Sequence, residues 1–146
     1  FTEYAEGIYI GYRGIEKFGV APAYPFGYGL TYSSFEYSGL LVSKDGEEVV
    51  VCFSLKNTGR VKAAEVAQVY VAPVNPSVPR PCRELKEYRK VFLEPGESSE
   101  VTVRLPESAF SYYDVSSHDW VVDKVNYKIQ VGSSATDLKL EASLSL

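Results

Sequence analysis

The sequence predicts an all-β fold: a two-sheet antiparallel sandwich preceded by an irregular N-terminal extension. Three observations lead there. From residue 33 onward, apolar side chains recur at every second position, the period of a half-buried strand. Turn signals break that pattern every ten or so residues, and nothing in between has the pattern of a helix of several turns, which is how antiparallel sandwiches read. Before residue 32 the composition is different. Seven of the 12 tyrosines and six of the 11 glycines precede residue 38.

Residues 1–31 therefore form an extended strap, rich in rings to bury and glycines that allow close approach. A short strand at 8–12 is its one expected regular element. No core can form from this segment alone, so it needs something to lie against. Beyond it, Val49, Val51, Phe53 and Leu55 alternate with Val50, Cys52, Ser54 and Lys56, giving a strand with one buried face. Strands are expected likewise at 35–42, 64–72, 85–93, 98–105, 109–114, 119–122, 125–132 and 136–146. Asp45-Gly46 suits a tight hairpin turn, Asn57-Thr58-Gly59 a loop and Glu94-Pro95-Gly96-Glu97 a further turn. Pro73, Pro76, Pro79 and Pro81 make 73–82 a stiff connection, because proline cannot donate to a ladder. It is expected to carry the chain from one sheet to the other. Immunoglobulin-like sandwiches anchor a corner with a tyrosine hydroxyl bonded to upstream backbone, a role expected here of Tyr112 or Tyr113.

The chain has 146 residues and is 45% hydrophobic, one domain's worth with a single core. Its 15 basic and 19 acidic side chains give a net charge of −4, which argues against nucleic acid as a partner. No apolar run reaches the roughly 18 residues a membrane-spanning helix needs. The first residue is Phe1 rather than Met and no signal sequence is visible, the expectation for a processed or excised piece. Two cysteines cannot form a disulfide scaffold, and with one histidine they do not make a protein-only zinc site. Cys52 and Cys82 are expected as free thiols, with a bridge between them as the alternative.

Candidate chemistry is sparse. Glu3 and Glu6 invite a paired-carboxylate reading, but their spacing on an irregular strap does not set the separation that glycosidic cleavage requires. Asp114 and Asp119 flank a hairpin tip, where aspartate serves turns. His118, in Ser116-Ser117-His118-Asp119, belongs to that tip, since a catalytic triad needs convergence rather than adjacency. Arg80, Arg83, Lys86, Arg89 and Lys90 place five cations against Glu84 and Glu87. This reads as a solvated edge strand, with a docking surface for an acidic partner as the sharper alternative. Tyr12, Arg13, Phe26, Tyr28 and Trp120 are the candidate binding residues, either at an interdomain seam or stacking on sugar rings. For Trp120, packing against protein is the commoner role. No catalytic residue, metal ligand or cofactor is assigned.

At this point a resemblance can be stated. Glu6-Gly7-Ile8-Tyr9-Ile10-Gly11-Tyr12-Arg13 and Pro25-Phe26-Gly27-Tyr28-Gly29-Leu30-Thr31-Tyr32 resemble the C-terminal part of glycoside hydrolase family 3 enzymes. The likeness continues, in order, through Lys56-Asn57-Thr58-Gly59, Glu65-Val66-Ala67-Gln68-Val69-Tyr70-Val71, Arg80-Pro81, Leu93-Glu94-Pro95-Gly96-Glu97, Ser111-Tyr112-Tyr113-Asp114, Trp120-Val121-Val122 and Val131-Gly132-Ser133-Ser134. These segments are similar to the fibronectin type III-like domain that ends many β-glucosidases of the family. The chain departs from that pattern at Asp123-Lys124-Val125-Asn126, where a Pro-Gly turn is common, and at Cys82, where an aliphatic residue is usual.

The resemblance implies a retaining β-glucosidase parent whose nucleophile and acid/base carboxylate lie in other domains. Residues 1–31 would end the preceding α/β sandwich domain and its linker, and residues 32–146 would be the fibronectin type III-like sandwich. The chain would then be a structural accessory, inactive by itself, with the parent's catalytic barrel and α/β sandwich domains as partners. It implies a secreted, extracellular setting, and no nucleic acid, membrane or cofactor. The alternatives are a carbohydrate-binding or cell-surface module, using the strap aromatics and Trp120, and an interaction domain using the basic 80–90 segment.

Overall fold

The computed structural model describes residue 1, residue 3 and residues 5–146, so that Thr2 and Tyr4 lie outside the described residues. Among the described residues, nine strands follow one short helix. They are β1 (Phe35–Asp45), β2 (Glu48–Asn57), β3 (Ala63–Val74), β4 (Glu84–Leu93), β5 (Ser98–Leu105), β6 (Ser111–Asp114), β7 (Asp119–Val122), β8 (Asn126–Ser134) and β9 (Asp137–Ser145). The helix, α1, spans Tyr12–Lys17, and a 3-10 turn covers Glu107–Phe110. One sheet has the order β1-β2-β5 and the other β4-β3-β8-β9, while β6 and β7 form a separate hairpin. All pairings are antiparallel. The all-β, two-sheet antiparallel sandwich expected from the sequence is what forms.

The alternating pattern of β2 does what its period dictates. Val49, Val51, Phe53 and Leu55 point inward and are nearly or fully buried, facing Ala67, Val69 and Val71 of β3 and Tyr127, Ile129 and Val131 of β8. Val101, Val103 and Leu105 of β5 complete the inner face of the smaller sheet. Full burial of each such side chain contributes roughly 1.5–3 kcal/mol. The turns follow their residues as well. Gly46 adopts φ +63° in the two-residue link between Asp45 and Glu48, and Gly96 takes φ +78° as the Glu97 amide donates to the Glu94 carbonyl oxygen.

Four expectations need correction. No strand forms at 8–12; the chain turns at Gly11 (φ +58°) and enters α1 at Tyr12. That helix ends in a Schellman motif, in which Gly19 (φ +64°) donates to the Glu16 carbonyl oxygen and Val20 to that of Ile15. The proline-rich segment does not change sheets, because β3 and β4 are neighbours in one sheet. The sheet-changing links are instead the short loop between β2 and β3, the Glu94–Glu97 turn, and residues 106–125, which carry the 3-10 turn and the β6–β7 hairpin between β5 and β8. The strand expected at 109–114 starts only at Ser111, after the 3-10 turn. Finally, the corner tyrosine is neither Tyr112 nor Tyr113. It is Tyr127, second residue of β8, whose hydroxyl lies 2.8 Å from the Asp123 carbonyl oxygen.

Candidate functional site

The strap meets the outer face of the four-stranded sheet through residues between Tyr12 and Gly27, and most of the candidate residues gather there. Strand β3 shows why this is possible. Residues 67–72 are buried without a break, so both faces of that stretch are covered. Ala67, Val69 and Val71 meet the core, whereas Gln68 and Tyr70 face outward and are sealed by the strap. The Tyr12 ring stacks on Phe26 with centroids 4.5 Å apart and meets Tyr70 edge-on at 6.3 Å. Gln68 donates through Nε2 to the carbonyl oxygens of Gly27 and Ser133 and accepts at Oε1 from the Tyr70 hydroxyl. Gly27 has φ +80° and no room for a Cβ beside the Gln68 amide, so the close approach requires glycine. Phe26 closes the contact by accepting the Ala135 amide at 2.9 Å.

Helix α1 engages three consecutive residues, Arg83 just before β4 and Glu84 and Leu85 at its start. The Leu85 amide donates to the Tyr12 hydroxyl at 2.8 Å, Arg13 pairs with Glu84 at 2.8 Å and Glu16 pairs with Arg83 at 3.2 Å. Glu16 and Arg83 are largely buried, and the guanidinium Nε–H is not aligned for a hydrogen bond to either carboxylate oxygen. Burial raises the Glu16 pKa, and the attraction of Arg83 only partly offsets the rise. Glu84 also receives Arg80 at 3.7 Å and Lys86 at 3.3 Å. Three of the five cations in the basic segment thus have carboxylate partners inside the chain, with Arg80, Lys86 and Arg13 sharing Glu84. Arg89 and Lys90 stay exposed on β4, an edge strand, where charge discourages sheet-to-sheet pairing.

Arg80 reaches the other way too. Its Nη1 donates to the Phe110 carbonyl oxygen at 3.1 Å and its guanidinium lies 5.8 Å from the Tyr112 ring centroid. It thereby ties β4 to the β6–β7 hairpin. Trp120 sits on that hairpin, two-thirds exposed, edge-on to Tyr113 with centroids 5.8 Å apart. At the tip, the Ser117 hydroxyl and then the amides of Ser116 and Ser117 stabilise the Asp114 carboxylate, which holds its pKa below the usual value. His118 is exposed there at φ +54°.

Tyr28 faces a groove of about 650 Å³ between residues 25–31, the start of β1, the start of β3 and the β8–β9 turn. Inside it, the Tyr37 hydroxyl donates to Glu65 Oε1 at 2.8 Å, and burial pushes the Glu65 pKa up. Of the five candidate residues, then, Tyr12, Arg13 and Phe26 come together, Tyr28 adjoins them on the groove and Trp120 stands on a separate hairpin. Glu16, Gln68, Tyr70, Arg83 and Glu84, which hold the strap, were absent from the candidate set. The unbroken run Val66–Val71, with a glutamine inside it, was the available signal. Cys52 and Cys82 are free thiols. Among the described residues, no three His, Cys, Asp or Glu side chains gather to hold a metal, and no helix is long and apolar enough to cross a membrane.

Comparisons with known proteins match this geometry. The family model of the fibronectin type III-like domain matches residues 65–135. The chain is 44% identical to an exo-α-(1→6)-L-arabinopyranosidase of Bifidobacterium breve, over 99% of this chain and 19% of that protein. It is 42% identical to the thermostable β-glucosidase B of Acetivibrio thermocellus, over 98% of this chain and 20% of that protein. Among solved structures, the GH3 β-glucosidase of Bifidobacterium adolescentis superposes with a TM-score of 0.95 at 44% identity, covering 98% of this chain and 21% of that one. β-Glucosidase 3B of Thermotoga neapolitana, in complex with α-D-glucose, gives 0.92 at 43%, covering 97% and 20%. The chain spans about one fifth of the length of these relatives.

Proposed function

Since this chain carries a fibronectin type III-like domain and matches glycoside hydrolase family 3 β-glucosidases along its length, we propose that it is the accessory domain of such an enzyme. In this reading it is C-terminal in a larger retaining β-glucosidase-type hydrolase and buttresses the catalytic barrel and α/β sandwich domains. It supplies neither catalytic carboxylate. Residues 1–31 end the preceding domain and its linker, and residues 32–146 are the sandwich.

The observation that carries the reading is the division of the strap into two sides. Tyr12, Glu16 and Gly27 are pinned to the sandwich, while Phe18, Val20, Tyr24, Leu30 and Tyr32 are between 58% and 99% exposed. Apolar side chains exposed in series along one segment mark an interaction surface. The strap is thus fastened to the sandwich on one side and presents rings for another body on the other. Relatives named for an arabinopyranosidase and for a glucosidase resemble the chain equally well. That supports a role in stability rather than in choosing the sugar.

A domain exchange tests this. In the Acetivibrio thermocellus β-glucosidase, the matching fifth is deleted, or replaced by this chain. Deletion should lower the melting temperature and the activity on aryl β-glucosides, and replacement should restore both. Wild-type behaviour after deletion would overturn the proposal, as would hydrolysis by this chain alone.

A further inference from the structure

We propose that the groove beside Tyr28 is a binding site for a short neutral oligosaccharide. Its volume, about 650 Å³, falls within the roughly 300–1,000 Å³ of small-molecule sites and suits a few hexose rings. The walls are set in advance. Gln68 holds the Gly27 and Ser133 carbonyl oxygens, Ala135 donates to Phe26, and the Tyr28 amide donates to the Pro25 carbonyl oxygen at 3.0 Å. A preformed site spares the ligand the cost of ordering its receptor.

The lining says what kind of ligand fits. Its charged groups are Glu65 and Asp137 on one side of the balance and Lys90 and Lys139 on the other. They cancel, so neither an anion nor a cation is drawn in by a net field. An uncharged ligand is the match, and it must satisfy acceptors and donors together. Sugar hydroxyls do both. Tyr37 fixes one oxygen of the Glu65 carboxylate, leaving Oε2 without a hydrogen-bond partner among the described residues. The Tyr28 ring, half exposed and braced by Tyr24 at 5.8 Å, offers a flat apolar face for pyranose C–H groups. The groove shares Leu30 and the Tyr24 brace with the exposed side of the strap, but the tests are separate: the domain exchange reads the accessory role and a sugar titration of this chain reads the groove.

The test is a titration of the 146-residue chain, followed by amide NMR, with cellotetraose, xylotetraose and maltotetraose in parallel arms up to about 10 mM. Saturable shifts confined to residues 27–31, 64–66 and 133–139 in at least one arm are expected. Tyr28→Ala should weaken that binding about five- to tenfold, and Trp120→Ala should leave it unchanged. Glu65→Gln is nearly isosteric and should also weaken it, which keeps the test decisive if Tyr28→Ala perturbs the fold. The proposal is overturned by the absence of saturable shifts in all three arms, by shifts centred on the Trp120 hairpin, or by binding that both groove variants leave intact.

Discussion

The Tyr127 hydroxyl lies 2.8 Å from the Asp123 carbonyl oxygen and 3.1 Å from that of Phe110, deep in the sandwich. A hydroxyl has one proton, and the shorter contact takes it. The Phe110 carbonyl oxygen is then served by Arg80, which also reaches the Tyr127 oxygen at 3.4 Å. Tyr127→Phe should therefore cost about 1–2 kcal/mol, since it strands a buried carbonyl without opening a large cavity. Urea denaturation followed by circular dichroism measures this, and a change below a few tenths would contradict the assignment.

Asn57 is fully buried, and its side chain joins four partners. Nδ2 donates to the Val61 and Leu93 carbonyl oxygens, while Oδ1 accepts from the Gly59 amide and the Ser33 hydroxyl. These bonds shape the crossing from β2 to β3. Asn57→Ala should destabilise the chain by about 3 kcal/mol. Asn57→Asp should not rescue it, because it replaces two donors with acceptors. Thermal melting of the two variants checks both statements.

Gly132 lies at the irregular β8–β9 pairing, where a Cβ would run into the Asp137 carbonyl group. Backbone cannot swing aside as a flexible side chain can. Gly132→Ala should cost on the order of 3 kcal/mol. Gly29→Ala, with open space around it, should stay within about 0.5 kcal/mol. Equal melting temperatures for the two would refute the close approach.

Glu16 is held against Arg83, with Tyr70 and Tyr12 close by, and its pKa is raised above the ordinary 4.5 by burial. A raised folded-state pKa means that the docked strap binds this proton more tightly than the unfolded chain does. The contribution is complete below the unfolded pKa and fades as pH rises through the folded one. Relative to Glu16→Gln, the wild type should lose stability between pH 4.5 and neutrality. Denaturation of both proteins across that range reads the difference. A wild type that gains on the variant as pH rises would show that the Arg83 attraction dominates.

The parts of this molecule legible in the sequence are those governed by neighbours along the chain. Val49 to Leu55 revealed a strand and its buried face because alternation needs no knowledge of the partner. Gly46 and Gly96 marked their turns because a positive φ is a local demand. The strap's need for a surface was legible too, in its excess of rings over any core it could form. What that surface is could not be read. Tyr12 meets Leu85 across 73 residues, and Gln68 meets Gly27 across 41. Nor could the corner tyrosine be chosen among several, since its identity depends on which hydroxyl reaches a buried carbonyl oxygen, here that of Asp123, once β8 is packed into the sandwich.

By itself, then, the sequence determined a β-sandwich with its strands and turns close to where they stand, through the short-range periodicity of side-chain burial. Only the tertiary structure decided that α1 replaces a strand, that the prolines link neighbours within one sheet and that the strap is fastened across β3 and β4. Each of these rests on ion pairs, stacked rings or hydrogen bonds between distant residues, and such contacts become definite only when the sheets have brought their partners within a few ångströms.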